Sequence, residues 1–316
     1  MDPLIIEVAL NGGTPKKRNP HVPVTPAEIT ADALATMEAG AAIVHSHIER
    51  FELTGDAAVE RYLEGYAPVL AARPDAIIWG TVAAAKGVEA RFGHYRGLAA
   101  AGMRMGAFDP GSVNLGSEGP DGLPGMSIVY STSFDEIAGL VALVDEARLG
   151  PAIAIYEPGW LRTTLAYEKA GRLPAGAFVK LYFNGRYNFI DGKRSNIAFG
   201  LPPTQTALDA YLELLAGSKL PWAVAAIGDC VIDTGLARLA IERGGHVRVG
   251  LEDFGGERTP TNVALVEEVV ALAKAETGGV DLFCSNAGVM TTGDPMSPDG
   301  EWMGAWNVNV MAHVHA

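Results

Sequence analysis

Eight apolar, strand-like runs separated by helical patterns constrain the fold of this chain more than any other feature of its sequence. The runs are LIIEVALN, AAIVHSHI, AIIWGTVA, RMGAFD, AIAIYE, AFVKLYFN, WAVAAIGD and HVRVGLED, and stretches such as TPAEITADALATMEAG lie between them. Strands that alternate with helices form parallel βαβ units. Eight such units in this length of chain predict an α/β fold, a (β/α)8 TIM barrel over residues 1–275.

A doubly wound open sheet is the alternative fold. It normally carries a Gly-rich phosphate loop that leads from the first strand directly into a helix. Here ALNGGTPKK leads into a Pro-rich loop instead, which favours the barrel. The Gly- and Pro-rich insert after the fourth run, PGSVNLGSEGPDGLPGMSIVYSTS, lies at the C-terminal end of its strand. Because that end of a barrel carries the active site, we expect the insert to form a lid or a pocket wall.

The formal net charge of −13 argues against a nucleic-acid surface or an anionic membrane as partner. No apolar run reaches the roughly 20 residues that span a bilayer, and the start of the chain lacks the features of a signal peptide, so a cytoplasmic location is expected. The two cysteines, Cys230 and Cys284, match no zinc or redox spacing. Any metal ion must therefore be held by histidines and carboxylates.

The run AAIVHSHIER contains two histidines one residue apart. Side chains alternate along a strand, so His45 and His47 share one face. This is metal-ligand geometry if a third ligand exists, although a single histidine in an apolar strand is more often a hydrogen-bonded core residue.

The run HVRVGLEDF supplies the third ligand. Arg248 and Glu252 share the polar face, which points into a closed barrel, and charged residues are rarely buried there unless they are paired or bind a metal. Glu252 completes an open site of two histidines and one carboxylate, of the kind that zinc uses for catalysis. Asp253 follows, and we expect its carboxylate to turn toward the rim as a general base. Arg248 either pairs with an inward carboxylate such as Glu7 or binds a substrate carboxylate, and the sequence leaves both open.

The segments NPHVPVTPAEI, AAIVHSHIER, DPGSVNLG and HVRVGLED, in this order, resemble the bacterial β-keto acid cleavage enzymes. The resemblance covers roughly residues 3–275. It implies a zinc-dependent barrel that condenses a β-keto acid with acetyl-CoA to give acetoacetate and a new acyl-CoA, and assembly into homotetramers or larger oligomers. It also implies that His45, His47 and Glu252 bind zinc, that Arg248 assists catalysis, and that Asp253 deprotonates or positions the substrate.

Five further residues are candidates for the site. By the same resemblance, Thr81 takes the place of a family serine, and Ser112 and Asn114 lie where the family binds the carboxylate end of the keto acid. Asn11 shares the inward parity of Glu7 and is a candidate substrate-binding residue. Many members carry an acidic residue near the start of the fifth strand, whereas this chain has Glu157 at the strand end, as a catalytic group or as a rim carboxylate without a role.

Residues 276–316 change character. VDLFCSNAG and WNVN resemble the middle of a short-chain dehydrogenase/reductase, a partial Rossmann-like extension that lacks the phosphate loop and the Y-x-x-x-K segment. Without these a dehydrogenase cannot work, so the tail is expected to be inert. Two other functions remain open: a metal-dependent barrel hydrolase, because H-x-H strands also open such sites, and an NAD(P)-dependent oxidoreductase, which the tail suggests.

Overall fold

The structure, a computed structural model, describes residues 3–188, 192–195 and 199–277. In this part of the chain there are ten strands: β1 (Ile6–Ala9), β2 (Ile43–Ser46), β3 (Ile77–Gly80), β4 (Met105–Phe108), β5 (Val113–Glu118), β6 (Pro124–Tyr130), β7 (Gly150–Ile155), β8 (Phe178–Asn184), β9 (Trp222–Ile227) and β10 (His246–Val249). The same part contains nine helices: α1 (Pro26–Ala39), α2 (Gly55–Ala72), α3 (Val88–Phe92), α4 (His94–Ala100), α5 (Phe134–Glu146), α6 (Pro158–Lys169), α7 (Gln205–Leu215), α8 (Leu236–Glu242) and α9 (Asn262–Thr277).

Eight strands form one parallel sheet in the order β3-β2-β1-β10-β9-β8-β7-β4. The two end strands, β3 and β4, approach within 8 Å, so the sheet is nearly closed. The Tyr95 hydroxyl bridges this seam, because it donates to the Gly80 carbonyl on β3 and accepts from the Ala107 N–H on β4, each over 3.2 Å. The predicted (β/α)8 barrel is therefore confirmed.

The sequence period explains which side chains face the barrel axis. Along β10, Val247 and Val249 are buried outside the barrel among the apolar core residues, whereas Arg248 between them is buried inside. A capping box begins α1, where the Thr25 hydroxyl accepts from the Glu28 N–H and the Glu28 carboxylate accepts from the Thr25 N–H.

The insert after β4 forms an antiparallel hairpin of β5 and β6. Leu115 on β5 and Ile128, Val129 and Tyr130 on β6 line the large cavity at this end of the barrel. The insert is thus a pocket wall, one of its two predicted roles, and it is built as a β-hairpin.

The last described element is α9, and Thr277 is also the last described residue, so the domain boundary at residue 275 stays a prediction. The stretch that resembles a short-chain dehydrogenase lies outside the described residues. None of the helices in the described part of the chain combines the length and the apolarity needed to cross a membrane.

Candidate metal centre and active-site cavity

A cavity of about 770 Å³ opens at the C-terminal end of the barrel strands. Inward side chains of β3, β4, β7, β8 and β10 line it, together with the hairpin and the segment from Val82 to Gly87. Ligands of barrel enzymes bind at this end, where the strand ends bring residues from distant parts of the chain together.

His45, His47 and Glu252 meet at one side of this cavity. The Nε2 atoms of His45 and His47 each lie 3.3 Å from a different carboxylate oxygen of Glu252. The three prospective ligand atoms all lie within 4.8 Å of one another. The three side chains therefore lie close enough together to share one ion, as the predicted site of two histidines and one carboxylate requires.

The partners of His45 prepare it to bind a cation. Its Nδ1 donates to the carbonyl of Trp79 over 3.2 Å, which leaves the Nε2 lone pair free to face Glu252 and His47. Burial lowers the pKa of His45 to about 4, so its imidazole is neutral at neutral pH. The ring also stacks on Trp79 with centroids 3.8 Å apart, which fixes its orientation.

Glu252 is held as a carboxylate. Burial opposes its ionisation, but the neighbouring imidazoles of His47 and His45 and the Arg248 guanidinium hold its pKa well below the usual range. Its Oε2 and the Nδ1 of His47 are buried without a hydrogen bond in the described structure. Two imidazole nitrogens and an ionised carboxylate with an unsatisfied buried oxygen are the donors that a divalent transition metal prefers, so the residues present fit such an ion.

Arg248 lies at the centre of an ion-pair cluster. Its Nη1 donates to Glu7 over 2.6 Å, its Nε to Asp253 over 2.8 Å, and its Nη2 lies 3.2 Å from both Asp253 and Glu252. The side chains of Arg248, Glu7 and Asp253 are each at least 96% buried. The ion pair with Glu7, one of the two roles that the sequence left open for Arg248, is present.

The orientation predicted for Asp253 is wrong. Its carboxylate turns inward to the Arg248 guanidinium and not toward the rim, because pairing is the way a buried carboxylate recovers the hydration that it loses. Asp253 is 3% exposed, and it does not contribute to the lining of the cavity.

The other predicted site residues divide into two groups. Thr81 lines the cavity, and its main chain is fixed by hydrogen bonds to Tyr62 and His94. Asn11 does not line the cavity but supports it: its side chain binds both the N–H and the carbonyl of His47, over 2.8 and 2.9 Å. It therefore positions a prospective metal ligand.

Ser112, Asn114 and Glu157 lie outside the cavity lining. The Ser112 hydroxyl exchanges hydrogen bonds with the main chain of Thr132, which fixes the base of the hairpin. Asn114 is exposed on β5, on the face opposite to Leu115. Glu157 is the N-cap residue of α6 and accepts a hydrogen bond from the Gly200 N–H over 2.8 Å.

The sequence reasoning missed Lys180 and Asp109, which line the cavity. Lys180 on β8 is fully buried; its ammonium lies 3.4 Å from Glu7 and 4.0 Å from the ring centroid of Trp79. Asp109, which follows β4, accepts a hydrogen bond from the Tyr130 hydroxyl. The signal was available, because a charged residue interrupts the apolar run AFVKLYFN and another ends the run RMGAFD.

The chain forms a nearly closed (β/α)8 barrel, and a prospective metal centre lies in the cavity at the C-terminal ends of its strands. These two features define the class of barrel enzymes with a candidate metal site. The chain belongs to the beta-keto acid cleavage enzyme family, whose family model matches residues 3–279.

Two relatives agree with this assignment, and a solved structure shares the fold. The chain is 26% identical over 279 residues to the 3-oxoadipate:acetyl-CoA acetyltransferase of Cupriavidus necator, a match that covers 86% of this chain and 89% of that protein. It is 27% identical to the 3-keto-5-aminohexanoate cleavage enzyme of Fusobacterium nucleatum, with 87% and 92% covered. The solved apo structure of ObcA shares the fold, with a TM-score of 0.51 and 16% identity; the match covers 82% of this chain and 62% of ObcA.

Proposed function

We propose that this enzyme uses zinc to cleave a β-keto acid with acetyl-CoA, giving acetoacetate and the acyl-CoA of the remaining fragment. The bond between C2 and C3 of the keto acid breaks, C2 forms a new bond to the acetyl carbonyl carbon, and the CoA thiolate passes to the former C3. The observation that carries this proposal is the cluster of His45, His47 and Glu252 at the wall of the cavity. The family and the names of both relatives support it.

His45, His47 and Glu252 would hold the ion. Zinc bound there supplies a Lewis acid that polarises a keto oxygen. Arg248 keeps Glu252 in position and supplies a fixed positive charge beside the site, and Asn11 holds the His47 main chain. The Thr81 hydroxyl, at the end of β3 beside the strand of the two histidines, offers a hydrogen bond to the substrate.

Asp253 acts in this proposal through Arg248. Its two hydrogen bonds fix the plane of the guanidinium, so it is a positioning residue for the cation beside the cavity. Ser112 and Asn114 shape the hairpin wall, and Glu157 holds the Gly200 loop. A homotetramer remains a proposal from the family resemblance. Location in a reducing cytoplasm is a proposal as well, supported by a chain with two cysteines and no zinc or redox spacing between them.

The family assignment favours this reaction over the barrel hydrolase that the H-x-H pair left open. The oxidoreductase alternative depends on residues 276–316, most of which lie outside the described residues.

A screen of β-keto acids with acetyl-CoA, read out as acetoacetate, tests the reaction. Metal analysis of the purified protein identifies the ion. His47→Ala should lose the bound metal and the activity but keep its circular dichroism spectrum, since the fold depends on the barrel core. His21→Ala, at an exposed histidine, is the matched control and should keep both. Full zinc occupancy in His47→Ala would remove His47 from the ligand set.

A further inference from the structure

Lys180 is a buried cation to which the proposed reaction has so far assigned no role. It lies in the middle of β8 and points into the barrel, where the neighbouring residues in register are Ala154 on β7 and Ala223 on β9. Burying an ammonium costs several kcal/mol unless a partner compensates, as a rule of thumb for ions of this size. Its position therefore requires an explanation.

Glu7 does not fully explain Lys180. The same Glu7 oxygen already accepts from Arg248 over 2.6 Å, whereas the Lys180 ammonium lies 3.4 Å away, beyond the usual length of a charged hydrogen bond. The ammonium also lies over the face of Trp79, 4.0 Å from the ring centroid. An ammonium has three N–H donors, so it retains capacity for an anionic ligand.

Arg248 is another cation of the cavity lining and lies beside the prospective metal ligands, but its nitrogens are occupied. They face three carboxylates, those of Glu7, Asp253 and Glu252. A substrate carboxylate would have to compete with these three fixed anions for Arg248. Lys180 offers the less committed positive charge in the same cavity.

The space beside Lys180 fits a small ligand. Ala107 on β4 and Ala152 and Ala154 on β7 line the cavity next to β8, and Ala107 and Ala152 are neighbours in register. Because the side chains of these three alanines are short, they leave space beside Lys180, which we call the alanine-lined hollow. His45 stacks on the same Trp79 ring that Lys180 contacts, so the ammonium and the prospective metal ligands flank one side chain.

We propose that Lys180 binds a carboxylate of the substrate in the alanine-lined hollow, while the substrate keto group faces His45, His47 and Glu252. This inference rests on the proposed function. The carboxylate is either the one next to the reacting carbon or a second one at the far end of the substrate, and both have the chemistry that an ammonium recognises.

The charge state of Lys180 is compatible with this role. Burial lowers its pKa to about 8, while Glu7 and Asp109 act in the opposite direction and Arg248 lowers it further, so the ammonium is the main form at neutral pH.

The test compares Lys180→Met, which keeps the alkyl chain and removes the charge, with Lys180→Arg, which keeps the charge. Losing one charge-assisted hydrogen bond to a carboxylate should raise KM about 10- to 100-fold, with a smaller effect on kcat. Lys180→Arg should recover part of this loss. Lys219→Met removes an exposed lysine from the opposite end of the barrel and should leave KM unchanged.

Two substrates separate the two carboxylates. If KM rises for a 3-oxo dicarboxylic acid and not for 3-oxopentanoate, a β-keto acid with one carboxylate, Lys180 binds the distal carboxylate; if it rises for both, Lys180 binds the carboxylate next to the reacting carbon. An unchanged KM for both, or equal losses in Lys180→Met and Lys180→Arg with a lower melting temperature, would overturn the proposal and leave Lys180 a structural partner of Glu7.

Calorimetric binding of 3-hydroxybutyrate and 3-hydroxyadipate, which keep the carboxylates but cannot be cleaved, gives a readout that does not need turnover. Weaker binding to Lys180→Met than to the wild type supports the proposal even if no β-keto acid is cleaved, a result that would count against the proposed function alone. Equal binding of both compounds to the two proteins would contradict the role of Lys180.

Discussion

Replacing Arg248 with lysine is the most informative perturbation of this site, because it keeps the charge and removes the shape. In the native cluster the guanidinium reaches Glu7 through Nη1 and Asp253 through Nε, over 2.6 and 2.8 Å. Two separate nitrogens make these bonds, and a third contact links Nη2 to Glu252. One ammonium nitrogen cannot occupy these positions together.

The expected cost follows from the number of bonds lost. The ammonium of the Arg248→Lys variant retains one good carboxylate contact, so at least two charge-assisted hydrogen bonds disappear from a largely buried cluster. At about 1.5–3 kcal/mol for each, the free energy of unfolding should fall by about 3–6 kcal/mol. This is a large part of the roughly 5–15 kcal/mol that stabilises a typical domain, yet it leaves a folded protein to assay.

Urea unfolding, zinc titration and steady-state kinetics should report this change together. Because Glu252 loses the contact that orients it, metal affinity should fall about 10- to 100-fold, as it does when an outer partner of a ligand is removed. Arg73→Lys is the matched control: its ion pair with Glu38 is exposed, and a change within about 0.5 kcal/mol is expected. If Arg248→Lys unfolds within about 1 kcal/mol of the wild type, on the order of an ordinary surface substitution, and retains its metal affinity, the geometric account of this cluster is wrong.

Three further predictions concern other parts of the barrel. A Cβ on Gly12 would collide with the side chain of Glu252, so Gly12→Ala should weaken zinc binding in a chelator competition assay, whereas Gly13→Ala, with no atom within 4 Å, should not. Burial lowers the pKa of His94 to about 4 from 6.5. Between these two pH values His94 is therefore protonated in the unfolded chain but neutral in the folded chain. The contribution of His94 to the free energy of unfolding should be fully present above the unfolded pKa and should fall by about 2 kcal/mol between pH 7 and pH 5. His94→Gln should therefore reduce the pH dependence of stability measured by urea unfolding. A chain that ends at Thr277 should keep the melting temperature and the bound metal of the full chain, and a lower melting temperature would assign residues 278–316 a structural role.

The prospective metal centre could be found from the sequence because local rules determine it. Strand parity places His45 and His47 on one face, and the parallel strand order brings β2 and β10 to either side of β1. The Arg248–Glu7 pair follows from the same parity, since the two residues are also partners in register. In each case the two-residue period of a strand and the order of the parallel strands were enough to predict which side chains meet.

The remaining features depend on distances that no local pattern encodes. The inward orientation of Asp253 depends on the backbone turn at Gly250. This residue has a φ of +137° and lies so close to the Ala9 carbonyl that no Cβ would fit. The hairpin strands β5 and β6 include glycine and proline residues, which weakened the alternating signal that identifies a strand. Lys180 was missed because its charge was not tested by the reasoning applied to Arg248, although both interrupt an apolar strand.

The charged side chains around Arg248 and Lys180 couple the binding of the proposed zinc ion to the binding of the proposed substrate. Glu7, Asp253 and Glu252 face Arg248 and Lys180, so the carboxylates outnumber the cations, and Asp109 adds to the surplus when it is ionised. A divalent cation beside Glu252 would cancel or reverse that surplus, and an anionic substrate would then enter a site that no longer repels it. Because such coupling is reciprocal, a dicarboxylate should bind more tightly to the zinc-loaded protein than to the chelated protein, and zinc should bind more tightly when the dicarboxylate is present by the same factor. Calorimetry of 3-hydroxyadipate at matched pH with and without zinc measures that factor. A factor of one would mean that zinc and the dicarboxylate bind independently of each other. The charge argument for Lys180 and Arg248 would then fail.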